Sequence, residues 1–139
     1  MNKSITVEVK VERDPKTVWD LWTGPKHVKN WNHASSDWEC PSAANDVRAG
    51  GRFSFVMAAK DRTMSFDFNG TYTAVVPQES LVYVIEGGRR VSVQFIPSGK
   101  GVLVRETFEL EGENPEEMQR AGWQAILGNF KEYAETYRG

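Results

Sequence analysis

The chain has 139 residues, a formal charge of −2, 40% apolar and 26% charged residues, and a single cysteine. That length buries a core without disulfides or metals, and the composition is that of one globular domain, residues 1–139, not of a disordered or fibrous chain. The small negative charge argues against a general phosphate-binding surface and against nucleic acid as a partner, while leaving room for a local basic patch, and no run approaches the roughly 18 apolar residues of a membrane span.

The first element is legible in SITVEVKVE, where Ile5, Val7, Val9 and Val11 fall on one side and Thr6, Glu8, Lys10 and Glu12 on the other. This is a period-two strand with one wet face. Asp14-Pro15 then supplies an N-cap and a proline at the first helical position, followed by Val18, Trp19 and Trp22 at helical spacing. A second short helix is predicted from Gly24-Pro25 to Trp31. Residues 32–46 show little periodicity and many small polar side chains, and are read as a loop.

From Gly50 to Leu110 the pattern becomes a meander of strands. Phe53, Phe55 and Met57 alternate with Arg52, Ser54 and Val56, and after a turn near Lys60-Asp61-Arg62 come Phe66, Phe68, Gly70 and Tyr72 on one face. Pro77-Gln78-Glu79 separates the next strand, Gly87-Gly88 reads as a two-residue hairpin turn, and Ser98-Gly99-Lys100-Gly101 turns into the last strand. Short connections imply antiparallel neighbours. The final element is a long helix, with Asn114 as its N-cap, Pro115 in its first position, Glu116 and Glu117 at its positive end, and an apolar stripe of Trp123, Leu127, Phe130 and Ala134. Gly122 and Gly128 would each weaken it by about 1 kcal/mol relative to alanine, and are expected to permit close packing.

The order is strand, two short helices, about six strands and a long helix. A sheet of that size with one apolar face needs a cover, and only the last helix is large enough. The expected fold is therefore α+β, a curved antiparallel sheet wrapped around the C-terminal helix.

The segments VWDLWTGPKHVKNW, DVRAGGRFSF, FNGTYTAVVPQESLVY, and GW with Leu127 and Phe130 resemble the activator of heat-shock-protein ATPase homologue family. That family lies within the START and pollen-allergen-like superfamily of helix-grip folds. The resemblance covers nearly the whole chain with its motifs in order. It implies a hydrophobic cavity between sheet and helix, a stress-response setting, and a chaperone as a possible partner. It also marks Trp31 as a hallmark position, expected to close one end of the cavity.

Inward parity supplies a lining of Phe53, Phe55, Met57, Phe66, Phe68, Val93, Phe95, Trp123, Leu127 and Phe130, with Tyr72 and Tyr83 adding hydroxyls. The simpler reading is that these side chains pack a filled core. Glu106 shares a face with Val102, Val104, Phe108 and Leu110. If it points into the cavity, its carboxyl has a raised pKa and acts as acid, base or anchor; otherwise a bulge turns it outward, it pairs with an arginine such as Arg52, or it reaches solvent near an open end. Asp67 reads as outward and solvated.

The stretch WTGPKHVKNWNHASSDWEC concentrates residues that could do chemistry. His27, His33, Asp37 and Cys40 could ligate zinc, but their spacing matches no common zinc motif, so neither metal nor cofactor is assigned. Cys40 and His33 lack a framing turn and a third group, so no nucleophile and no catalytic residue is assigned. Arg89-Arg90 reads as a solvated hairpin tip, and AGGRF is no phosphate loop because no lysine and helix follow it.

The reading is a non-catalytic domain that binds a hydrophobic small molecule, lipid-like or aromatic and polyketide-like. A co-chaperone acting on the ninety-kilodalton heat-shock protein is the first alternative, and a cavity-based cyclase or hydrolase the second. The lone cysteine and an N-terminus without a signal-like apolar block point to the cytoplasm, with no membrane insertion expected.

Overall fold

A computed structural model describes residues 3–138 of the chain. The ends of the expected 1–139 domain, residues 1, 2 and 139, lie outside the described residues. The elements are β1 (Ser4–Val11), α1 (Pro15–Thr23), α2 (Pro25–Trp31), β2 (Trp38–Asn45), β3 (Arg52–Ala59), β4 (Ser65–Val76), β5 (Ser80–Ile85), β6 (Arg89–Ser98), β7 (Gly101–Glu109) and α3 (Glu116–Thr136). The strands form one seven-stranded sheet in the order β1-β7-β6-β5-β4-β3-β2, antiparallel at every pairing. It curls into a half-barrel around α3, the α+β helix-grip arrangement.

Local chemistry accounts for the helix pair. The Asp14 carboxylate accepts from the Thr17 backbone N–H (3.1 Å) and hydroxyl (2.7 Å), capping α1 ahead of Pro15. Gly24 stands between the helices, closing α1 through its N–H to the Asp20 carbonyl and opening α2 ahead of Pro25. Both helices then lie against the concave face, α2 on β2 and α1 on β6 and β7. Trp22 of α1 packs on Trp31 of α2, with ring centroids 4.7 Å apart, and both meet the edge of Phe130 in α3. The core is the inner face of the sheet closed by these rings and by Leu127, Phe130 and Ala134.

Four features depart from the sequence reading. The segment read as a loop contains β2, an edge strand paired with β3 and bulged between Glu39 and Ser42, around Pro41. A proline that cannot donate to a ladder belongs at such an edge and bulge, and it hides the strand from any propensity count. The turn at Gly87-Gly88 has three residues, since Ile85 pairs with Arg89, and both glycines have positive φ.

Helix α3 starts one residue later than expected. Pro115 is extended (ψ 144°) and is itself the cap, its carbonyl accepting from the Gln119 N–H at 3.1 Å. Finally, Gly122 and Gly128 do not serve close packing: a methyl group built on either would meet no atom within 4 Å. Close approach is required at other glycines, among them Gly70, where a Cβ would stand 2.6 Å from the Val84 carbonyl oxygen and 2.8 Å from the Phe53 ring. Phe53 pairs with Gly70 across β3 and β4 and lays its ring over it. Among the described residues no helix is long and apolar enough to cross a membrane.

Candidate functional site

Between the concave sheet and helices α1, α2 and α3 lies a cavity of about 250 Å³. Its wall is built from alternate residues of successive strands: Phe53, Phe55 and Met57 of β3, Phe66, Phe68 and Tyr72 of β4, Tyr83 of β5 and Glu106 of β7. The helices contribute Trp22, Trp31, Trp123 and Ile126, and the ends of α2 and β2 contribute Asn32 and Asn45. The period of two places each strand residue here, and the sheet's curl turns their side chains toward one space. Phe66, 53% exposed, stands at the mouth, with Trp38 beside it at a centroid distance of 5.9 Å. Glu106, 4% exposed, stands across β5 and β6 from it.

Ten of the fourteen expected lining residues are on this wall: Trp31, Phe53, Phe55, Met57, Phe66, Phe68, Tyr72, Tyr83, Glu106 and Trp123. Val93, Phe95, Leu127 and Phe130 are not; they are buried in the packed core behind it. Phe95, for example, is covered by the edges of Trp19 and Trp22 at 5.4 and 6.0 Å. Trp22, Asn32, Asn45 and Ile126 line the cavity without having been expected there. Ile126 carried a usable signal, because it lies one turn from Trp123 on the same helix face. Trp31 holds its place through its indole N–H, which donates to the Leu21 carbonyl at 3.0 Å.

The polar groups of the wall form two short series. The Tyr72 hydroxyl donates to Asn45 Oδ1 at 2.7 Å, and Asn45 Nδ2 donates to the Thr23 carbonyl at 2.8 Å, tying β4 to β2 and to the end of α1. Burial pushes the Tyr72 phenol up to about 12 despite that hydrogen bond. On the other side the Glu106 carboxyl neighbours the Tyr83 hydroxyl. Burial pushes the Glu106 carboxyl up to about 8, with the neighbouring Tyr83 hydroxyl opposing it. The Tyr83 phenol is driven well above its ordinary value by burial and then by the nearby Glu106 charge.

Geometry separates the three alternatives for Glu106, and at 4% exposure it does not reach solvent. Strand β7 keeps register with both neighbours through Glu106, opposite Val7 on β1 and Val93 on β6, with no bulge. Arg52 is engaged elsewhere, with Thr71 Oγ1 at 2.9 Å and Asn69 Oδ1 at 3.3 Å. Asp67 faces outward and accepts from Ser54 Oγ at 2.6 Å.

The residues weighed as a metal or nucleophile cluster are dispersed. His27 Nδ1 is 2.8 Å from the Tyr133 hydroxyl, and buried Cys40 reaches the Ser42 carbonyl at 3.5 Å. Burial raises the Cys40 thiol, which keeps it protonated and weakly nucleophilic. Among the described residues no three His, Cys, Asp or Glu side chains converge to hold a metal ion.

The sequence pattern of the family described as Activator of Hsp90 ATPase homolog 1-like protein matches residues 12–135. The solution structure of an AHSA1-like protein from Aeromonas hydrophila is similar at 40% identity, with 99% of each chain covered and a TM-score of 0.89. A protein from Cytophaga hutchinsonii is similar at 43% identity, with 98% of this chain and 97% of that one covered and a TM-score of 0.83. The Aha1 dimer from Colwellia psychrerythraea shares the fold at 17% identity, with 99% of each chain covered and a TM-score of 0.74. No curated protein matches the sequence.

Proposed function

We propose that this chain, which belongs to the Activator of Hsp90 ATPase homolog 1-like family, binds a hydrophobic small molecule, lipid-like or aromatic, in its interior cavity without transforming it. The observation that carries this reading is the aromatic-walled cavity of about 250 Å³ with its mouth at Phe66. A dry apolar cavity of about 150 Å³ accepts benzene, so a space of this size suits a ligand of roughly ten non-hydrogen atoms. Aromatic and aliphatic walls with a few convergent polar groups are the usual composition of a ligand site. The proposed site residues are the wall residues named above, and the proposed compartment is the cytoplasm.

Thermal unfolding against a panel of lipids, polyketides, flavonoid-like compounds and one- or two-ring aromatics tests the proposal. A ligand at a hundred times its Kd should add about 2.7 kcal/mol to stability. Uniformly absent shifts contradict the reading.

The family description favours a second reading, a regulator of the Hsp90 ATPase acting through the outer surface. A pull-down and an ATPase assay with that chaperone test it, and absence of both binding and stimulation rejects it. Cavity-based catalysis is the third, since the wall offers only Glu106 and two tyrosines as acid–base groups. It gains ground only if Glu106→Gln abolishes turnover of a bound ligand while leaving its affinity intact.

A further inference from the structure

The cavity wall is chemically one-sided. Glu106 is its single carboxyl group, and none of its lining residues is Lys, Arg or His. The same cavity is lined by the rings of Trp22, Trp31, Phe53, Tyr72 and Trp123, and the Tyr83 phenol is the neighbour of the carboxyl. The Tyr72 hydroxyl is directed to Asn45, and Arg52 to Thr71 and Asn69, so neither neutralises Glu106.

Each class of ligand meets this wall differently. A carboxylate or phosphate would enter a desolvated space holding an acid and no counter-charge, which disfavours it strongly. A neutral ligand would find a hydrogen-bonding group, but glutamine or serine supplies one without burying a titratable acid. What a carboxylate alone supplies is negative charge, and what the surrounding rings supply is attraction for a cation through their negative faces.

We infer that the ligand is a hydrophobic amine, its ammonium group held by Glu106 among the aromatic faces and its apolar body filling the rest of the cavity. This rests on the cavity being a binding site. Where Glu106 is protonated, the ammonium displaces that proton to solvent and the ion pair remains. Affinity therefore rises with pH, by up to about tenfold per unit, until Glu106 is ionised near its value of about 8. The other titratable groups on the wall are Tyr72 and Tyr83, both raised by burial and uncharged over this range. The remaining elements that pack there present Trp22, Trp31, Asn32, Asn45, Trp123 and Ile126, none of which titrates.

Three size-matched probes test this by calorimetry on the full chain: phenylpropylamine, phenylpropanol and phenylpropanoate. The amine is expected to bind at least about tenfold more tightly than the alcohol at pH 8, with the carboxylate weakest. Amine affinity should climb from pH 6 to pH 8 with proton release, while alcohol affinity stays level. In Glu106→Gln the amine's advantage should vanish and the alcohol should still bind, which also shows that the variant is folded. Equal binding of amine and alcohol, a preference for the carboxylate, or an amine preference that survives in Glu106→Gln overturns the inference while leaving the cavity as a binding site. Binding of none of the three overturns it together with the reading on which it rests.

Discussion

Replacing Glu106 by glutamine should stabilise the fold, increasingly so as pH rises. The carboxyl is 4% exposed, and its folded-state pKa is raised from 4.5 to about 8. A raised folded value means that the native state holds a proton the unfolded chain has released. Stability from this group is therefore complete below the unfolded value of 4.5 and is lost as pH rises toward the folded value of about 8, where the loss levels off. At roughly 1.4 kcal/mol per unit, the loss at pH 7 is about 3 kcal/mol. Glutamine matches the shape of the protonated acid and does not titrate, so the variant escapes that loss. Urea unfolding of both proteins at about pH 5, 6, 7 and 8 measures it, and subtracting the two curves cancels every titration they share. The stability difference should be near zero around pH 5 and grow to several kcal/mol in favour of the variant by pH 8. A difference independent of pH refutes the reasoning, and so does a variant that loses ground as pH rises, which would mean that Glu106 is ionised and paired in the native state.

Other substitutions probe the scaffold. Gly128→Ala adds a methyl group that meets no atom within 4 Å, so it should gain about 1 kcal/mol from helix propensity in urea unfolding; a loss contradicts the open surroundings assigned to that residue. Gly70→Ala, by contrast, drives a Cβ to 2.6 Å from the Val84 carbonyl oxygen and should cost about 1–3 kcal/mol, with a neutral result refuting the close approach of β4 to β5 and Phe53. Trp31→Phe removes the indole N–H from the Leu21 carbonyl and shrinks the contacts with Trp22 and Phe130. A loss of about 2–4 kcal/mol is expected, and one under about 1 kcal/mol would mean that Trp31 is not a structural wall of the cavity.

The architecture was readable because period and punctuation agree along most of the chain. Alternation in β1, β3 and β7, proline at the start of α1 and α2, and the stripe of α3 each point to one element and one buried face. Strand β2 was not readable. Its residues, WECPSAAN, pair with β3 through the backbone at an edge, where neither alternation nor bulk is needed. Asn45 was lost with it, because a polar side chain in an apparent loop gives no sign that it will meet Tyr72.

Parity put Glu106 on the apolar face of its strand but left its direction open, since a bulge or an ion pair could turn it away; the unbroken register of β7 decides it. Parity does not measure depth. Phe95 and Phe68 share the sheet's concave side, yet the first lies under Trp19 and Trp22 and the second lines the cavity. Trp22 shows the converse, a ring that both packs the helix pair and forms part of the wall. The distinction between packing and lining depends on where the curled sheet and the helices fail to meet, which is a property of the whole assembly.

Ligand entry into the space between sheet and helices is the proposal on which the rest depends. The most direct test follows the five indole N–H resonances by NMR while the best compound of the thermal panel is titrated in. Trp22, Trp31 and Trp123 line the cavity, whereas Trp19 lies outside it against Phe95. Saturable shifts of the first three are expected, with Trp19 nearly unmoved. Shifts confined to Trp19, or none among the three wall indoles at saturation, would contradict the proposal.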